Sequence, residues 1–287
     1  MKTPFKILTG ILITLSLPLN GLVFSDILID IDLTEEESGP AETILNTGSL
    51  EGDFEAEFDI PSIETVDGVN AVTLDGNNDW YVGPDASPLT GNTDRSVEAW
   101  VWNPSVPSEE TIFAWGRRGG PDASNFSMLY GNHPSYGALG AWGGNADMPF
   151  YPGGGAPEPN EWHHMVLTYN SQSNERSIYV DGELTNSENN GSFFDTHEFD
   201  DSGLPLPMVI GNQNEPNGTR TDALSADLSI AKIKVHDSVL TESDVLNSFN
   251  LDKIKFGKGG PQIISFEASE NTVGPDETVT FTWEIDG

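Results

Sequence analysis

The chain has 287 residues with 46 acidic and 12 basic side chains, a formal charge of −34. Such a polyanion has few cations with which to release the counterions of DNA, RNA or anionic headgroups, so nucleic acid and acidic membrane surfaces are excluded as partners. Thirty Gly, 19 Pro and no Cys leave little for long helices and nothing for disulfides, thiolate catalysis or a lipid-bearing cysteine, and point to an all-β fold resting on its own core.

Residues 1–25 carry Lys2 and Lys6 ahead of an apolar run from Ile7 to Leu17, then a Pro/Gly break and Ser25. This is the layout of a signal peptide cut after Ser25, with an uncleaved anchor as the alternative. Export fits the cysteine-free composition and suits a bacterial protein. The segment ILIDIDL then alternates Ile27, Ile29, Ile31 and Leu33 against Asp30 and Asp32, the period of a half-buried strand. Residues 34–68 are rich in acids, Gly and Pro and read as an irregular excursion.

From Asn70 onward about ten short strands follow in roughly 170 residues, separated by turns such as Asp75-Gly76-Asn77-Asn78 and Asp181-Gly182. Without helices between them they predict an antiparallel jelly-roll β-sandwich. A single helix is expected over 241–249, where Thr241 and Asp244 have capping-box spacing. The domain is expected to run over 26–256, with its core at 70–250 and a linker at 257–260. Residues 261–287 hold two alternating segments about a Val-Gly-Pro-Asp turn, the start of an immunoglobulin-like module that further C-terminal sequence would complete.

His163 and His164 are adjacent. On a strand neighbouring side chains face opposite ways, so the two cannot share a metal and are expected to be structural. The run Trp162-His163-His164-Met165-Val166, with Tyr169 and Tyr179-Val180-Asp181-Gly182, resembles the hairpin of laminin-G-like, concanavalin A-like jelly rolls. SVEAWVWNP at 96–104, AVTLDGNNDWYV at 71–82 and LSIAKIKVHDSVLTESDV at 228–245 are similar to that family's central, opening and closing stretches. The resemblance implies the fold but not one function, since lectins, adhesion modules, pentraxins and glycosidases share it.

No catalytic constellation is found at usable spacing, so the expectation is a protein that is not an enzyme. Asp53, Glu55, Glu57 and Asp59 alternate with apolar residues, and a diverged glycoside hydrolase acting through them is the rival reading. Asp75–Asp79 opens like a calcium loop but has Trp80 where Gly is needed, and reads as a turn. Resemblance to the pentraxin branch places a calcium ion at the rim, held by some of Asp122, Asn125, Gln213, Asn214 and Glu215, although this chain departs from that branch at Gln213 and Glu215.

Gly-rich loops also carry Trp115, Arg117, Arg118, Tyr130, Tyr136, Trp142, Phe150 and Tyr151. Sugars stack apolar faces on such rings while polar neighbours fix their hydroxyls. Arg117, Arg118, Tyr136, Trp142 and Tyr151 are therefore the expected ligand-binding set. The expected function is a secreted or cell-surface recognition module for carbohydrate or an extracellular protein, with an adhesion spacer as the alternative.

Overall fold

The computed structural model describes residues 26–143, 145–189, 192–260, 262–268 and 280–286. The expected signal peptide lies outside the described residues. In chain order the strands are β1 (Ile27–Asp32), β2 (Gly39–Pro40), β3 (Thr43–Ile44), β4 (Phe54–Phe58), β5 (Ser62–Val66), β6 (Val69–Thr73), β7 (Asp79–Asp85), β8 (Arg95–Trp102) and β9 (Thr111–Gly116). They continue with β10 (Asn125–Leu129), β11 (Leu139–Gly140), β12 (Trp162–Asn170), β13 (Glu175–Val180), β14 (Glu183–Glu188), β15 (Pro207–Ile210) and β16 (Ser229–His236). Helix α1 (Glu242–Asp252) follows, then β17 (Gln262–Ala268) and β18 (Phe281–Asp286).

Two antiparallel sheets result. The first runs β14-β13-β12-β8-β16-β6-β5-β2, with β1 also on β16, and the second runs β11-β10-β9-β15-β7-β4-β3. One edge of β16 is shared: Ser229 and Ile230 pair with β6, while Lys232 to His236 pair with β1. The predicted first strand is therefore an integral member of the sheet. The excursion expected over 34–68 is corrected here, because β4 pairs with β7 inside the second sheet and β5 with β6 inside the first. Acids hid these strands from the sequence reading: in β4 only Phe54 is deeply buried, and Glu55 and Glu57 sit on the polar side. Strands β17 and β18 form a separate antiparallel hairpin.

Alternation along each strand explains the core. Val97, Ala99 and Val101 of β8, Met165, Leu167 and Tyr169 of β12, and Phe126 and Met128 of β10 all enter one cluster between the sheets. The residues between them point outward, so each sheet has an outer face to account for.

On the first sheet that outer face is closed. Trp100, Trp162, Val69, Ala71, Ala231 and Phe256 form a second buried cluster, and Trp100 stacks on Phe256 at 4.0 Å and on Phe249 of α1 at 5.9 Å. Helix α1 begins as expected: the Thr241 hydroxyl accepts from Asp244 N–H while the Asp244 carboxylate accepts from Thr241 N–H. It runs to Asp252, three residues beyond the predicted end, because the chain continues helically to place Phe256 over Trp100.

The two histidines take opposite faces. His164 packs on Trp100 at 5.1 Å on the outer face, and His163 turns inward to Asp181 Oδ2 at 2.9 Å and the Glu158 carbonyl at 3.0 Å. Glu98 lies beside His164 and takes a 2.7 Å hydrogen bond from His236. Burial alone would raise its pKa, but hydrogen bonds and charges from His164 and His236 outweigh that and hold the carboxyl well below the usual range.

Candidate functional site

The outer face of the second sheet is closed at one end and open at the other. At the closed end Glu57 takes a 2.7 Å hydrogen bond from Trp80 Nε1 and two from Arg220, at 2.6 and 2.9 Å. Both its oxygens are occupied. Burial would raise this carboxyl, yet the Arg220 and Trp80 bonds hold it below its ordinary value. Glu55 accepts from the Thr43 hydroxyl and Asp53 from Asn46 N–H. Asp53, Glu55 and Glu57 are thus spent on strand and loop contacts, while Asp59 lies exposed just past β4. The Asp75–Asp79 segment is a turn, with Asp79 accepting from the amides of Asp75 and Asn77 and from the Ser225 hydroxyl.

At the open end, near β10 and β11, a cleft of about 350 Å³ is lined by Glu109, Arg118, Asp122, Asn125, Tyr136, Gly140, Trp142, Gly143, Asp147 and Gln213. It joins three of the five expected ligand-binding residues to three of the five expected metal ligands. Two backbone bonds tie its loops together, from Arg118 N–H to the Asn214 carbonyl (2.9 Å) and from Ala123 N–H to the Trp142 carbonyl (3.3 Å).

Trp142 is its most exposed large ring, at 41 %. Its backbone has φ +64°, in the left-handed region where a bulky side chain is strained. The indole lies against Gly120, at φ +100°, where an added Cβ would stand 3.3 Å from Trp142 Nε1. Arg118 reaches one side of the indole at 5.1 Å while bonding Glu215 at 3.2 Å. Tyr136 stacks on His133 at 3.5 Å, which fixes its ring at the cleft wall.

The floor is polar and buried. Asn125 is 1 % exposed, and its Nδ2 donates to the Gly140 carbonyl (3.1 Å) and to Gln213 Oε1 (3.0 Å). A carbonyl can only accept, so the amide orientation is fixed and Oδ1 is the free atom. Asn125 Oδ1 has no hydrogen-bond partner among the described residues, nor has the Ser127 hydroxyl two residues on. Buried polar atoms are seldom left so.

Glu109 and Asp147 were not singled out from sequence. Burial raises both carboxyls. Arg118 partly offsets it at Glu109, and amide bonds, the first from Ala141, do so at Asp147. Neither sits in a motif: Glu109 precedes β9, and Asp147, past β11, accepts from Ala141 N–H at 2.7 Å. The β9-β10-β11 ladder brings them to one cavity.

Other expected residues fall elsewhere. Trp115, Tyr130 and Phe150 are fully buried in the sandwich core, not at the rim, because their strands and turns direct them inward. Tyr151 packs partly buried against that core and does not line the cleft. Arg117 turns to Asp201 and to a separate groove beside Thr196.

Three of the five expected calcium ligands line the cleft, and most of the set carries other bonds. Asn214 Oδ1 accepts from Arg220, its Nδ2 donates to the Pro207 carbonyl, Glu215 is paired with Arg118, and Gln213 Oε1 accepts from Asn125. Asp122, Asn125 Oδ1 and the second carboxylate oxygen of Glu215 remain, against the six to eight oxygens that calcium takes. Among the described residues no three His, Cys, Asp or Glu side chains come together as a metal would require.

By sequence, no curated protein matches the chain. Solved structures share its fold. Domain 4 of AbnA, a GH43 extracellular arabinanase from Geobacillus stearothermophilus in complex with arabinotriose, is 15% identical with a TM-score of 0.50, covering 78% of this chain and 98% of that one. The botulinum neurotoxin serotype G binding domain is 12% identical with a TM-score of 0.51, covering 79% of this chain and 51% of that one, so the chain spans about half of its length. Among the described residues no helix is long and apolar enough to cross a membrane. The family model of the concanavalin A-like lectin/glucanases superfamily matches residues 75–246. That match spans more than half of the chain, and with two antiparallel sheets packed face to face the protein belongs to this superfamily.

Proposed function

We propose that the protein is a non-catalytic carbohydrate-recognition module, acting outside the cell, whose site is the cleft between the 116–125 and 136–147 loops. One observation carries this reading: an exposed Trp142, held at strained φ, lines the same cleft as Asn125, a buried side chain whose Oδ1 has no hydrogen-bond partner among the described residues. An aromatic wall takes the apolar face of a sugar, and fixed acceptors take its hydroxyls. The fold it shares with a sugar-bound domain of an arabinanase lends support by analogy. This reading needs no resident calcium ion, since Asn214, Glu215 and Gln213 already hold Arg220, Arg118 and Asn125. Hydrolysis through Glu57 is disfavoured by the Arg220 fork that occupies both its oxygens.

A glycan array probed with wild type and Trp142→Ala tests this. Saccharide binding that is lost in the variant, and kept in a chelator, is expected. Binding that survives Trp142→Ala, or that appears only with calcium, would sink the reading. Release of reducing ends abolished by Glu57→Gln would replace it with the hydrolase.

A further inference from the structure

The cleft is unbalanced in charge. Glu109, Asp122 and Asp147 line it against a single cation, Arg118, which is already paired with Glu215. Its unsatisfied buried group, Asn125 Oδ1, is also an acceptor. A ligand must therefore bring donors, and an anionic one meets three carboxylates on a chain of charge −34.

Two kinds of ligand bring positive character, a metal ion and an ammonium group. The carboxylates do not converge on one point as a metal shell demands. They are spread along a 350 Å³ cavity with an indole and a phenol in its wall, the layout for an extended polyatomic ligand. A neutral sugar would use the rings and Asn125 but leave the carboxylates without a countercharge in a partly desolvated site. An ammonium group on the ring supplies it through charge-assisted hydrogen bonds.

Resting on the saccharide reading above, we propose that the cleft selects amine-bearing sugars: the ring packs on Trp142 and Tyr136, Asn125 Oδ1 accepts a hydroxyl, and the ammonium group lies among Glu109, Asp122 and Asp147. Glu109 supports this from its own surroundings. Burial raises its carboxyl first, Arg118 and His133 lower it, and the charge of Asp147, the smallest of the contributions, raises it, a repulsion that a cation between them would relieve. Acidic glycans are rejected by the same groups.

The test is calorimetric titration of the full chain with a glucosamine tetramer, the same tetramer fully N-acetylated, an oligouronate and tetralysine. The glucosamine tetramer is expected to bind about tenfold more tightly than its acetylated form, with no binding of the oligouronate. Asp147→Asn keeps an acceptor for Ala141 N–H and removes the charge, so it should weaken the glucosamine tetramer about fivefold, with the melting temperature reporting the cost of the Gly143 and Trp142 amide bonds that it gives up. Glu109→Gln serves as the second variant should Asp147→Asn unfold. Equal or tighter binding of the acetylated tetramer overturns the amine selectivity and leaves the saccharide reading standing. Tetralysine binding as well as the glucosamine tetramer, with both variants unaffected, also overturns it, because the attraction is then that of the acidic surface at large. No binding of any saccharide overturns both.

Discussion

The two sheets are built alike and finished differently. Outside the first, Trp100, Trp162 and His164 are roofed by Phe249 and Phe256, and Glu98 sits between two histidines. Outside the second, Arg220 and Glu57 close one end while the other is an open cleft. Among the described residues buried polar atoms without hydrogen-bond partners occur on both faces, Glu98 Oε2 and His164 Nδ1 on the first and Asn125 Oδ1 and the Ser127 hydroxyl on the second. A sheet face that finds an apolar roof contributes to stability. One left open, with an aromatic ring and polar groups at its surface, is available for binding, and what separates the two faces is the roof, since each holds buried polar atoms that cost stability.

The sharpest way to break this contrast is Trp100→Ala. Removing the indole from between Phe256 and Phe249 should cost about 3–5 kcal/mol by urea denaturation. Loss below about 1 kcal/mol would mean that the helix does not seal the sheet.

Next comes pH. Glu110, buried and accepting from Asn103 Nδ2 and Asp227 N–H, is pushed up to about 7 by burial, and Asp79 to about 6 by the same cause. A raised carboxyl favours the folded state while protonated, so stability should fall as pH rises from about 4.5 through 7 for Glu110 and from about 3.8 through 6 for Asp79. Allowing for solvent screening, the loss is on the order of 1–2 kcal/mol. Glu98 acts oppositely: its depressed carboxyl contributes above its unfolded value, and that is lost as pH falls below about 4.5. Melting temperature should therefore peak in mild acid. A profile flat from pH 5 to 8 would show that Glu110 and Asp79 ionise freely.

Thr241→Ala removes the cap from the helix that roofs the first sheet and should cost about 1 kcal/mol, with cleft binding untouched. Linked loss of binding would show that the two faces are coupled.

The smallest effect is a near-cancellation. Trp142→Gly relieves the left-handed backbone but gives up the indole's packing on Arg118 and Gly120, so stability should change by less than about 1 kcal/mol while glycan binding is abolished. A loss above about 3 kcal/mol would give Trp142 a mainly structural role.

What the sequence determined is what repeats along the chain or depends on near neighbours. Period-two patterns mark β1, β8, β12 and β16, adjacency separates His163 from His164, and Thr241 with Asp244 starts α1. Acidic strands such as β4 escape that reading, because a strand whose outer residues are charged looks like a loop until its partner is known. The cleft was half legible: Arg118, Tyr136, Trp142, Asp122, Asn125 and Gln213 stand out by type. Only tertiary structure could turn Trp115, Tyr130 and Phe150 inward, pair Glu215 with Arg118 and Asn214 with Arg220, and bring Glu109 and Asp147 beside Asn125. Those outcomes depend on partners up to about a hundred residues away, and a side chain's chemistry is set by whether such a partner has already taken its lone pair or its charge.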